Sequence, residues 1–236
     1  MYTMPYRYGY GFDSSYLLVL LGLVLCLIAQ ALVKSTYAKY KNVHCHSGLT
    51  AAGAAQMILQ QSGIYDVKVA RIAGELTDNY NPQTKILSLS DATCNSTSVA
   101  AIGVAAHECG HAIQDFKEYA PLRIRGAMVP AVNVGATVSW PLILVGVLLG
   151  FFRPLILLGI ILFSFSVLFQ LVTLPVEFDA SHRALAILDS SGMMDAGELK
   201  GAKKVLSAAA LTYVAAAASS VLQFLRLVLI FGGRRD

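Results

Sequence analysis

His107-Glu108-Cys109-Gly110-His111 decides how the rest of this chain is read. On an α-helix, residues four apart share a face, so both imidazoles can reach one metal ion. Glu108 then stands beside that ion, where a carboxylate can take a proton from water. The spacing is that of zinc-dependent hydrolysis, with the ion as Lewis acid and the glutamate as general base. The flanks predict the helix. Ser96-Thr97-Ser98 offers N-caps, and Val99 to Ala106 holds no breaker stronger than Gly103. A helix from Ser98 to Phe116 carries both histidines near its middle. Its first turns are small and apolar, as in a buried helix, and a charged face there needs a reason that a metal supplies.

Catalytic zinc takes three protein ligands and keeps a fourth position open, so two histidines are not enough. His44, His46, His182 and the carboxylates after the motif are candidates for the third. The best placed lie in Leu174-Pro175-Val176-Glu177-Phe178-Asp179-Ala180-Ser181. Proline two residues before Glu177 suits the first turn of a new helix, which would project Glu177 from a defined position. Acids at a helix start are also favoured by the helix dipole, with no metal involved.

His107-Glu-Cys-Gly-His111-Ala-Ile-Gln-Asp115, followed by Glu177-Phe-Asp-Ala180, resembles the membrane-bound gluzincin peptidases, the clan of thermolysin, HtpX and the CAAX prenyl proteases. A closer resemblance is to the bacterial YugP-like membrane zinc metallopeptidases, described as zinc-dependent neutral protease type 2. Gly74-Glu-Leu-Thr-Asp-Asn-Tyr-Asn-Pro82, Leu87-Ser-Leu-Ser90 and Val104 to Gln114 support it, and it covers nearly the whole chain. The resemblance implies Zn²⁺ as cofactor, His107, His111 and Glu177 as its ligands, and Glu108 as base. One departure stands out. The clan's usual Glu-x-x-x-Asp, whose aspartate orients a zinc-bound histidine, reads Glu177 to Ser181 here. Either Ser181 accepts that hydrogen bond, or Asp179 or Asp115 takes over the role.

Composition sets the location. The chain is 56% hydrophobic and only 14% charged, which excludes an ordinary soluble domain. Tyr16 to Val33 is apolar and of spanning length, with Gln30 near its end. Its flank carries Arg7 and Asp13 rather than a basic cluster, which favours an uncleaved anchor over a signal peptide. Ala127 to Gly150 is a second apolar block, holding Pro130, Asn133 and Pro141. After the turn Phe151-Phe152-Arg153-Pro154, Leu155 to Leu174 is a third. Val205 to Phe231 is either a fourth span or a helix packed on the catalytic core, since its first half is rich in alanine and it carries Arg226.

The expectation is one membrane-embedded peptidase domain over residues 1–236. It comprises a first transmembrane helix (16–33), a soluble catalytic region (34–126), a transmembrane hairpin (127–174), a helix carrying the third ligand (175–204) and the last block (205–231). The fold class is mainly α and membrane-integrated, with three to four transmembrane helices. A small α+β zincin-like catalytic region, of the gluzincin type by resemblance, completes it. Lys34, Lys39 and Lys41 outweigh Arg7 across the first span, and Arg123 and Arg125 precede the second on the same side. Basic loops stay inside, so the catalytic region is expected in the cytoplasm of a bacterial plasma membrane. The hairpin returns the chain to that side before Glu177, as a shared site requires. Arg234-Arg235 weighs against the last block crossing outward.

Within the soluble stretch, Thr50 to Gln61 reads as a helix capped by Ser47 or Thr50 and stopped by Gly63. Tyr65 to Arg71 and Thr84 to Ser90 read as strands, with turn chemistry at Asn79-Tyr-Asn-Pro82. The second strand, just before the metal helix, could offer a free edge to an extended peptide. Cys26, Cys45, Cys94 and Cys109 lack C-x-x-C spacing and read as reduced thiols. His44-Cys45-His46 reads as a solvated linker before a metal site. Asn95-Ser-Thr97 is discounted as a glycosylation site on a cytoplasmic face. Tyr213 is a core tyrosine by default, with donation to an oxyanion as the functional alternative.

The sequence therefore reads as a membrane-bound zinc metalloendopeptidase. Its expected partners are protein or peptide substrates and the lipid bilayer, and not nucleic acid. Resemblance to HtpX adds a quality-control role on membrane or membrane-proximal proteins. A prenyl-peptide protease and a non-catalytic scaffold with a structural zinc site are the rivals. An intact Glu108 argues against the scaffold, since a structural site has no use for a base.

Overall fold

A computed structural model describes residues 14–232; Arg7, Asp13, Arg234 and Arg235 lie outside them. In chain order the elements are α1 (Tyr16–Tyr40), α2 (Ala51–Gln61), β1 (Lys68–Ile72), β2 (Asn79–Asn81), β3 (Ile86–Ser90), α3 (Asp91–Cys94), α4 (Val99–Phe116), α5 (Ala120–Leu148), α6 (Arg153–Ser190) and α7 (Ala196–Phe231). The fold is mainly α, and among the described residues four helices (α1, α5, α6 and α7) are long and apolar enough to cross a membrane.

The region between α1 and α5 forms around alternation and capping. In Ile86-Leu-Ser-Leu-Ser90 every second residue is apolar, and Leu87 and Leu89 are fully buried. They join Ile58 of α2, Ile102 and Ala105 of α4 and Leu188 of α6 in one apolar core. The Thr50 hydroxyl accepts from the Gly53 amide to start α2, and Gly63 (φ +74°) follows its end. Ser98 caps α4 likewise, accepting from the Ala101 amide.

Strand β3 is central, parallel to β1 and antiparallel to β2. The expected free edge on Thr84–Ser90 is therefore corrected: both sides of β3 are paired, and β2 is an outer strand. Asn79-Tyr-Asn81, read as turn, is that strand. Asn81 sets the turn one step later, its side chain accepting from the amides of Gln83 and Thr84 at 2.9 and 3.3 Å. Tyr80 is held in the strand by its hydroxyl, which donates to Asp115 of α4 at 2.6 Å.

Helices α1 and α7 pack as one pair and α5 and α6 as another, with α6 against α7. Small residues let the second pair close. A Cβ on Gly135 would press on the Leu162 carbonyl, and one on Gly159 on the Ser139 carbonyl, at 2.8 Å each. Pro121 and Pro154 lie in the first turns of α5 and α6, where no amide is needed. The start of α5 at Ala120 places Arg123 and Arg125 inside a helix rather than in a loop before it. Arg226, near the far end of α7, stacks over the Tyr16 ring at 4.3 Å.

No new helix starts at Pro175, contrary to expectation. Helix α6 runs through it for 38 residues, about 57 Å at 1.5 Å per residue. Proline removes one helical hydrogen bond, a loss that long apolar helices tolerate when their neighbours hold them in place. Val176, Glu177 and Ala180 are buried against α4, so packing overrides the local breaker. One rod thus joins the apolar span to the residues after Leu174.

Candidate metal centre

Helix α4 separates its side chains by phase. Cys109 faces α2, its thiol directed at the Ala55 carbonyl at 3.6 Å, while His107 and His111 face α6. Burial pushes the Cys109 thiol pKa well above its usual range. Gly110 lets the helices meet, because a Cβ there would run into the Ala180 carbonyl.

The close approach brings three of the expected residues together. His107 Nε2 lies 3.2 Å and His111 Nε2 3.6 Å from Glu177 Oε2. The two rings meet edge to face with centroids 4.7 Å apart. One ligand atom from each residue falls within 4.8 Å of the others. His111 and Glu177 are buried and His107 nearly so.

Each of the three is oriented from behind. His107 Nδ1 lies 3.1 Å from Ser181 Oγ, and His111 Nδ1 lies 3.0 Å from Gln114 Oε1. Gln114 Nε2 donates to the Val176 carbonyl and to Asp179 Oδ2, both at 2.8 Å, which fixes the amide with its oxygen toward His111. His111 Nδ1 therefore carries a proton, which leaves Nε2 as the nitrogen that faces Glu177. Arg183 Nε donates to the same Asp179 oxygen at 2.6 Å. Glu177 Oε1 accepts from Arg125 at 2.8 Å, leaving Oε2 to face the histidines.

The electrostatics favour a cation. Burial opposes charge on His111, yet the carboxylates of Glu177 and Glu108 outweigh it and hold its pKa above the usual imidazole value. Two imidazole nitrogens and a carboxylate oxygen form the donor set that Zn²⁺ prefers in catalytic sites, so these residues fit the ion. Glu108 is buried on the same face, and its carboxylate makes no hydrogen bond among the described residues. Burial raises its pKa above the ordinary carboxylate range, opposed by the histidines on either side.

The other candidates are placed elsewhere. Asp115 accepts from Tyr80 and Lys85, both at 2.6 Å, and does not orient a histidine. Asp179 acts through Gln114. His44 bonds Thr97 at 2.9 Å. Cys45 and His46 converge on Glu198, with His46 Nδ1 2.7 Å and Cys45 Sγ 3.4 Å from Oε2. That carboxylate already completes the capping box of α7 and accepts from the His46 amide, so it ties the loop to the helix. All four cysteines are free thiols. Tyr213 of α7 interacts through its hydroxyl with Glu177 and lies near Glu108.

Two contributors escaped the sequence reading. Gln114 is three residues beyond His111 on the same helical face, a spacing that could have flagged it. Arg125 was weighed only as a topology marker, and nothing local in the sequence shows that it reaches α6.

A family model described as "Putative neutral zinc metallopeptidase" matches residues 15–232. The curated protein "Putative membrane protease YugP" of Bacillus subtilis (strain 168) is 48% identical over 219 residues, covering 93% of this chain and 97% of that protein. No solved structure matches.

Proposed function

We propose, because the chain belongs to the neutral zinc metallopeptidase family, that it is a membrane-bound endopeptidase of the gluzincin type with its reaction centre between α4 and α6. The convergence of His107, His111 and Glu177, with unpaired Glu108 beside them, is the observation that carries this reading. In this proposal the three residues would hold Zn²⁺, which would supply Lewis acidity toward a scissile carbonyl and its attacking water.

The chain's own groups supply the rest. Glu108 takes a proton from the attacking water and delivers it to the leaving amine. Its burial makes that carboxylate a stronger base than one in solvent. Ser181 and Gln114 hold the imidazoles in place, and Arg125 holds Glu177 so that one oxygen faces the pocket. In this reading the Tyr213 hydroxyl, which interacts with Glu177, turns to donate to the developing oxyanion. Outer strand β2 packs near α4 and can hold an extended substrate by main-chain hydrogen bonds.

Long α6 sets this centre at the end of an apolar span, which suits membrane proteins and their juxtamembrane segments as substrates in quality control. The basic residues Lys34, Lys39, Lys41, Arg123 and Arg125 on the catalytic side favour a cytoplasmic orientation in a bacterial plasma membrane. The test is purified protein in detergent incubated with unfolded casein, with and without a chelator. Cleavage that stops on chelation and returns with zinc supports the proposal, and the absence of cleavage by zinc-loaded protein contradicts it.

A further inference from the structure

Helices α1 and α7 form a groove of about 750 Å³ on the catalytic side of the apolar bundle, away from the metal centre. The sequence pattern of each helix faces one stripe into it. On α1 these are Leu32, Ser35, Thr36, Lys39 and Tyr40, spaced i, i+3, i+4, i+7 and i+8. On α7 they are Lys200, Lys203, Lys204, Ser207, Ala208 and Leu211, with the same periodicity. Four ammonium groups therefore line one groove, and no carboxylate does. None of the four lysines forms an ion pair among the described residues. Lys39 lies over the Tyr40 ring at 5.6 Å.

The lining changes character along the helices. Leu32 and Leu211 lie in the apolar stretches, hydroxyls follow at Ser35, Thr36 and Ser207, and the lysines come last. From Leu32 to Tyr40 α1 rises about 12 Å, enough to pass from acyl chains through the headgroup layer. Lysines flanking a span are common and by themselves only mark orientation. Here they converge from two helices on a groove with an apolar floor. We infer that this α1–α7 groove binds one anionic glycerophospholipid of the leaflet on the catalytic side. Its phosphate would meet the lysines and hydroxyls, and an acyl chain would lie along Leu32, Ala208 and Leu211.

The test is native mass spectrometry of the full chain released from detergent containing equal phosphatidylglycerol and phosphatidylcholine with identical acyl chains. The wild type should retain one phosphatidylglycerol and exclude phosphatidylcholine. The triple variant Lys200→Gln, Lys203→Gln, Lys204→Gln should lose at least about tenfold of that retention. These side chains are exposed, so the fold should persist, and the helical circular dichroism signal checks it. Ser207→Trp keeps every lysine while filling the groove, and it should abolish retention too. Equal retention of both lipids overturns the inference, as does undiminished retention by either variant. Displacement of the lipid by millimolar inorganic phosphate also overturns it, because an anion site alone would then suffice.

Discussion

Ser181 Oγ, one helical turn beyond Glu177 on α6, lies 3.1 Å from Nδ1 of His107. A hydroxyl can accept the imidazole proton, but it adds no negative charge behind the ring. On the other histidine the neutral amide of Gln114, itself anchored by Asp179, accepts from His111. Behind both imidazoles, on the Nδ1 side, the centre therefore places neutral groups, the Ser181 hydroxyl and the Gln114 amide.

Ser181→Ala should leave the fold intact and weaken zinc binding by about tenfold, the lower end of what outer-shell partners contribute. Ser181→Asp should bind zinc at least as tightly as the wild type. Competition against a chromogenic chelator measures both, and unchanged affinity in Ser181→Ala would mean that the 3.1 Å contact does not orient the ring.

Glu177→Ala should lower bound zinc sharply, and Asp179→Ala should leave most of it. The first removes a ligand in this account, while the second removes only an anchor of Gln114. Metal analysis after gel filtration distinguishes them. The opposite ranking would assign the third ligand to Asp179.

Tyr213→Phe should keep full zinc content and lose a factor on the order of 10² to 10³ in kcat, the usual effect of removing one oxyanion donor. Steady-state kinetics on a fluorogenic peptide reads this. An unchanged kcat would return Tyr213 to a packing role.

A single cysteine at Gln83, in a chain lacking the four native cysteines, reports the side on which the catalytic region lies. Gln83 is exposed in the turn between β2 and β3. An impermeant thiol reagent should label it only after the membrane is permeabilised. Labelling in intact cells would place the centre, and its substrates, outside the cytoplasm.

Local chemistry made much of this molecule legible before any coordinates. Ser98 and Thr50 announced their helices because capping depends on a few adjacent residues. The His107–His111 spacing and the acid at Glu177 pointed to each other because a catalytic metal needs a third ligand. What escaped depended on distant packing. Pro175 reads as a helix start, and only the contact of Val176 and Ala180 with α4 shows why α6 continues. Asn79 and Asn81 read as turn, and only pairing with β3 makes their segment a strand. Arg125 reads as a topology signal because its partner Glu177 lies 52 residues away.

Replacing Glu108 by glutamine tests the central claim most directly. The amide is nearly isosteric with the carboxylate, so α4 and the three metal-facing residues should be undisturbed, but it cannot accept a proton at neutral pH. Zinc content and casein cleavage are measured on the same preparation. The account predicts one zinc per chain, as in the wild type, with cleavage reduced by a factor on the order of 10² to 10⁴. Normal turnover by zinc-loaded Glu108→Gln would remove Glu108 from the reaction and contradict the account.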